Sequence, residues 1–202
     1  MDSIDPSLQW IIQDIKLPED DGSATAQSIL TGNGKCMSDG SLKDLLGTSA
    51  FTFLLDDEKN NYVGSNIVPG EDDEQNSYRS EMCGVLGNML VINAICEFHG
   101  INEPCEIMVG CDNVSALWNG LGPTPVHMKM ASTDLVKVIR QLRQTSVLHW
   151  KSHWVKGHKD DDDGEPEEQT ELDEWAQANI FCDKEAERAW IERYNSKRFR
   201  KA

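Results

Sequence analysis

Glu106-Ile107-Met108-Val109-Gly110-Cys111-Asp112-Asn113-Val114 is the stretch on which the fold turns. After Pro104, a short apolar run closes on a polar pair and passes straight into a helix-like segment, Val114 to Trp118. That pattern reads as a buried strand handing over to a helix. Upstream, Met82, Val85, Leu86, Met89, Leu90 and Ile95 keep helical spacing. The spacing predicts a helix capped at Asn76 or Ser77, running to Phe98 and stopped by Gly100. Further upstream lie three strand-like pieces, at 34–40, 48–55 and 62–68. Downstream, Ser132 to Gln144 reads as a helix, Val147 to Val155 alternates like a strand, and Leu172 to about Tyr194 reads as a long final helix. The order is β-β-β-α-β-α-α-β-α, without an internal repeat. It predicts an α/β fold with a five-stranded mixed sheet and helices on both faces.

The chain has 202 residues, enough for one domain with a substantial core. The expected layout is a partly ordered N-terminal leader at 1–32, a domain at 33–190 with an acidic loop at 159–171, and a basic C-terminal tail at 191–202. No run reads as eighteen apolar residues, and the first residues lack a basic-then-apolar signal, so an intracellular location and no membrane are expected. Six cysteines, at 36, 83, 96, 105, 111 and 182, form no C-x-x-C pair or zinc spacing and read as buried thiols in a reducing compartment.

Acidic residues outnumber basic ones 35 to 19, for a net charge of -16. The excess concentrates between Lys159 and Glu174, where ten residues are acidic and one is basic. From Arg188 onward six are basic and one is acidic. Bulk charge therefore excludes a protein that grips nucleic acid by a general basic surface. Any such activity must come from a local site.

Four carboxylates resist a purely structural reading. Asp39 ends the first strand, before Gly40. Asp112 follows the apolar strand directly, at the kind of strand end where α/β sheets collect ligands. Glu81 opens the long helix beside its apolar stripe. Asp183 falls among Trp175, Ala176, Asn179, Cys182, Ala186 and Trp190, the inward face of the last helix. Two carboxylates about 4 Å apart repel by roughly 4 kcal/mol at an effective dielectric near 20. Four together need protons or a counter-charge. Oxygen-only donors favour magnesium or manganese, and a carboxylate cluster holding two such ions suits phosphodiester hydrolysis.

Five pieces now stand in order: Ser38-Asp39-Gly40-Ser41, Arg79-Ser80-Glu81, Cys111-Asp112-Asn113, Trp154-Val155-Lys156-Gly157-His158 and Asn179-Ile180-Phe181-Cys182-Asp183-Lys184-Glu185-Ala186. In that order the sequence resembles the ribonuclease H family, type 1 and retroelement branch, over about residues 33–190. The resemblance implies the ribonuclease H-like fold and endonucleolytic hydrolysis of the RNA strand of an RNA/DNA hybrid. It implies Asp39, Glu81, Asp112 and Asp183 as catalytic metal ligands for two Mg2+ ions, with Mn2+ able to substitute. His158 would be the catalytic histidine that moves a proton or assists product release. Ser41, Asn76, Ser77, Tyr78 and Asn113 would supply substrate contacts.

The sequence also departs from that family. Between Trp118 and Ser132 only Lys129 is basic, so the basic handle is missing, and residues 1–32 are too few for a separate hybrid-binding module. Asp160 to Asp163 begin a long acidic segment that fails the calcium-loop template. Val114 stands where a glutamine is common. Ser77-Tyr78-Arg79-Ser80-Glu81 and the missing handle lean toward a retroelement origin, with a reverse transcriptase as partner module. Two alternatives remain open: an inactive binding or assembly module of the same fold, and a DNA-acting nuclease or integrase-like enzyme.

Overall fold

A computed structural model describes residues 4–123, 125–127, 130–157 and 172–199, without the side chains of 197–199. The sheet is mixed and has six strands: β1 (Asp14–Lys16), β2 (Gly34–Lys43), β3 (Leu46–Phe53), β4 (Val63–Ile67), β5 (Cys105–Cys111) and β6 (Leu148–Trp154). They lie in the order β1-β4-β3-β2-β5-β6. The helices are α1 (Ser23–Leu30), α2 (Ser77–Phe98), α3 (Val114–Leu121), α4 (Thr133–Thr145) and α5 (Glu174–Phe199).

The sixth strand corrects the five-stranded expectation. β1 lies in the segment read as a leader, where Asp14, Ile15 and Lys16 pair antiparallel with Ser65, Gly64 and Val63. Three residues are too few for an alternation to show in sequence. Their addition covers what would otherwise be the open edge of β4. A 3-10 turn at Pro6–Ile12 and α1 bury Ile11 and Ile29 completely in the same core.

β2 also runs past Asp39. It continues to Lys43, and Asp44 and Leu45, both at positive φ (50° and 58°), turn it tightly into β3. Asp39 is thus a mid-strand residue opposite Ala50.

Successive strand residues face opposite sides, so β2 contributes to two apolar layers. Cys36 joins Phe51, Phe53, Met82, Leu86, Ile107 and Ile139 on the α2 side. Met37 joins Ala50, Val155, Cys182 and Ala186 under α5. Each large side chain buried here contributes roughly 1.5–3 kcal/mol. By length and composition α2 could cross a membrane, but most of it is buried against the sheet, as in the core helix of a globular domain.

Two parallel strands part at one point. β2 pairs with β5 through Gly34–Ile107 to Met37–Gly110 and no further. Asp39 and Asp112 each stand two residues beyond that last pair. β5 meanwhile stays with β6 up to Cys111–Trp154. The sheet therefore opens a crevice at the carboxyl ends of β2 and β5, with antiparallel β3 on the far side of β2.

Candidate functional site

Asp39 reaches the crevice from β2 and is 6% exposed, deep enough that its charge is costly. The Gly40 amide donates to its Oδ1 at 2.7 Å. Gly40 also admits the neighbouring helix: a Cβ there would stand 2.4 Å from the Glu81 nitrogen and 2.5 Å from the Ser80 carbonyl carbon. The absent side chain lets the start of α2 rest directly on the strand, which brings Glu81 to Asp39.

The start of α2 is pinned from several sides. Asn76 caps it, accepting from the Arg79 amide at 2.8 Å. Counted from that cap, Glu81 belongs to the second turn, where the helix dipole offers less than at the first-turn position read from sequence. Buried Arg79 forks onto both Asp134 oxygens at 2.9 and 2.7 Å and donates to the Pro69 carbonyl at 2.7 Å. Ser80 donates to the Ser41 carbonyl.

Asp112 is not the cap of α3. Asn113 performs that role, accepting from the Ala116 amide at 3.0 Å, and so leaves Asp112 to the crevice. The Trp154 indole donates to the Asp112 carbonyl at 2.9 Å and ties its backbone to β6. Gly157 makes room for the carboxylate, since a Cβ there would lie 2.3 Å from Asp112 Oδ2. Asp183 arrives from the opposite face on α5, beside fully buried Cys182, whose thiol lies 3.6 Å from the Met37 carbonyl.

The electrostatics record the convergence. Burial, then the charges of Asp112 and Asp183, raises the Asp39 pKa to about 7 despite the Gly40 amide. Burial, followed by the charges of Asp39 and Asp112, holds Glu81 well above the ordinary carboxyl range, and a hydrogen bond joins Glu81 to Asp39. Without a counter-charge the cluster keeps protons at neutral pH.

Cys111 is the site residue that sequence reasoning passed over. Its thiol donates to Glu81 Oε2 at 3.4 Å. Sγ of Cys111 and carboxylate oxygens of Glu81 and Asp112 all lie within 4.8 Å of one another. Its place directly before Asp112, at the end of a buried strand, was the available signal. Burial, followed by the charge of Glu81, pushes the thiol far above its usual pKa. Buried, mutually repelling carboxylates fit hard divalent cations.

The remaining expected residues are placed unevenly. Asn76 and Asn113 spend their side-chain oxygens on helix caps. Tyr78 Oη accepts from Asn119 at 3.1 Å, Ser77 is exposed, and Ser41 lies half-buried on β2. His158, Lys129 and the acidic segment 159–171 lie outside the described residues, as do 200–202 of the basic tail.

The fold and site together define a class: a mixed α/β sheet with buried carboxylates where two parallel strands part. The solved structures to which the chain is similar come from the family its motifs resemble. An RNase H1 from the halophilic archaeon Halobacterium salinarum NRC-1 matches with 10% identity and a TM-score of 0.49, covering 79% of this chain and 98% of that one. The N-terminal RNase H domain of a Mycobacterium tuberculosis protein matches with 13% identity and a TM-score of 0.48, over 81% and 99%. LC11-RNase H1 in complex with an RNA/DNA hybrid matches with 13% identity and a TM-score of 0.40, over 60% and 85%. The sequence matches no protein-family model and no curated protein. Identities this low, with TM-scores under 0.5, assign neither family nor activity.

Proposed function

We propose that the chain is a metal-dependent ribonuclease H that hydrolyses the RNA strand of RNA/DNA hybrids. One observation carries the reading: buried Asp39 and Glu81 share the crevice between β2 and β5 with the charges of Asp112, while Asp183 adds to the repulsion on Asp39. A packed core has no use for such mutual repulsion, whereas a site for hard cations does.

Asp39, Glu81, Asp112 and Asp183 would hold two magnesium ions, or manganese in their place. Bound there, such ions supply the positive charge that activates water and steadies a leaving 3′-oxygen, so that 5′-phosphate and 3′-hydroxyl ends result. The chain's own part is placement. Gly40 and Gly157 leave space for Glu81 and Asp112, and Arg79 fixes the first turn of α2. His158 would hold or move a proton at the departing oxygen. Ser41, Ser77 and Tyr78 would meet the sugar-phosphate edge and the 2′-hydroxyls. The same motifs support a retroelement origin with a reverse transcriptase module as partner. The unpaired state of all six cysteines accords with an intracellular, reducing compartment.

The test is direct. The protein is incubated with labelled RNA/DNA hybrid, RNA duplex and DNA duplex, each with magnesium, manganese or chelator. Cleavage of the hybrid's RNA strand alone, dependent on metal and abolished in Asp112→Asn, is the expected result. Binding without cleavage would make the chain a module that kept only the fold. DNA cutting or strand joining would make it an integrase-like enzyme.

A further inference from the structure

Away from the carboxylates, the last turns of α4 and the edge of β6 enclose a cleft of about 490 Å³. Arg140, Arg143 and Lys151 line it together with Gln144 and His149, and no carboxylate lies on its walls. In a chain of net charge -16 this concentration of cations runs against the general field.

The arginines are spoken for only by neutral groups. Arg140 donates twice to the Asn119 carbonyl, at 2.8 and 2.6 Å, and Arg143 donates to the Gly122 carbonyl at 3.1 Å. Neither meets a carboxylate among the described residues, and burial, followed by the charge of Arg143, lowers the Arg140 pKa. Lys151 has Glu106 at 3.3 Å, an exposed pair of small energetic weight. β6 is an edge strand, hydrogen-bonded to β5 alone, so the cleft lies open along the side of the sheet. Fixed guanidinium groups in a cleft whose lining residues include no carboxylate suit phosphate oxygens.

We infer that this cleft grips the phosphodiester backbone of a nucleic-acid strand whose scissile bond lies at the carboxylates, an inference that rests on the function proposed above. The register sets the reach. Lys151 pairs with Met108 and Leu148 with Cys105, four and seven residues before Asp112. At about 3.3 Å per residue the cleft begins about 13 Å from Asp112 and ends about 23 Å from it. With about 3.4 Å per nucleotide along one strand, that places the gripped phosphates roughly four to seven nucleotides from the cut. The cleft would thereby take over the work of the missing basic handle.

The experiment measures binding of a fluorescein-labelled 20-base-pair RNA/DNA hybrid by anisotropy, in chelator, across 50 to 200 mM salt. It compares the parent with Arg140→Gln/Arg143→Gln and with Gln144→Glu. The second variant keeps both arginine hydrogen bonds and adds an anion to the cleft, so it tests the idea even if the first folds poorly. The double variant should bind about tenfold more weakly, with a salt slope reduced by about one to two, and Gln144→Glu should weaken binding about threefold. Parent-like affinity and slope in both variants would overturn the inference, as would a parent that binds no hybrid. Pyrophosphate binding as tightly as the strand would also overturn it. Metal-dependent cleavage with arginine-independent affinity removes the cleft and leaves the nuclease. Arginine-dependent binding without cleavage does the reverse.

Discussion

At the scale of single residues, Asp39 carries the strongest consequences. Its folded-state pKa near 7 exceeds its ordinary value of 3.8, so the folded chain keeps a proton that the unfolded chain has released. Between about pH 4 and pH 7 the native state binds more protons, and stability falls as pH rises. The slope contributed is at most about 1.4 kcal/mol per pH unit. Urea unfolding in chelator should show that decline in the parent and a shallower one in Asp39→Asn; parallel curves would mean that the charge is not confined. At pH 8 the same substitution should stabilise the metal-free protein by about 1–3 kcal/mol, read as a higher melting temperature in calorimetry. A lower melting temperature would make Asp39 a structural residue. Gly157→Ala works the other way: its Cβ falls on Asp112 Oδ2, so hybrid cleavage should drop about 100-fold while the melting temperature stays nearly unchanged.

Elements succeed or fail by how closely they approach. α2 lies against β2 because Gly40 faces the backbone of Ser80 and Glu81, and Gly84 faces Ser38. Gly40→Ala should push the helix off the strand and cost about 1–3 kcal/mol in chemical denaturation, with loss of cleavage even where the chain stays folded. The start of the same helix is tied to α4 through Arg79 and Asp134. Arg79 is buried while Asp134 is largely exposed, so Asp134→Ala leaves a cation without its partner inside the protein. Discounted for the exposed side, a loss of about 1–3 kcal/mol is expected in the same denaturation experiment. Much of this scale was legible in advance. The helix 77–98 follows from its apolar spacing, and Asn76 is its cap as one of the two residues proposed. β1 was not legible, because three residues hold no periodicity, and the extension of β2 was hidden by an Asp-Gly pair that resembles a turn.

For the whole molecule, the carboxylate cluster couples ion binding to folding. Ions that bind only the native state stabilise it by RT ln(1 + [L]/Kd), about 2.7 kcal/mol at a hundredfold excess over Kd. Magnesium should therefore raise the melting temperature of the parent and leave Asp39→Asn/Asp112→Asn unmoved; an equal rise in both would place the ion elsewhere. By itself the sequence determined the types and order of the elements from β2 onward and the candidates Asp39, Glu81, Asp112 and Asp183, because periodicity and the place of a carboxylate within an apolar pattern are local properties of the chain. Only the tertiary structure decided that β2 and β5 part just before Asp39 and Asp112, that Asn113 rather than Asp112 caps α3, and that Cys111 stands against Glu81. It alone placed Arg140 and Arg143 beside the edge of β6. These are contacts between residues far apart in sequence, set by strand pairing and by how near two backbones can come, and no local pattern encodes them.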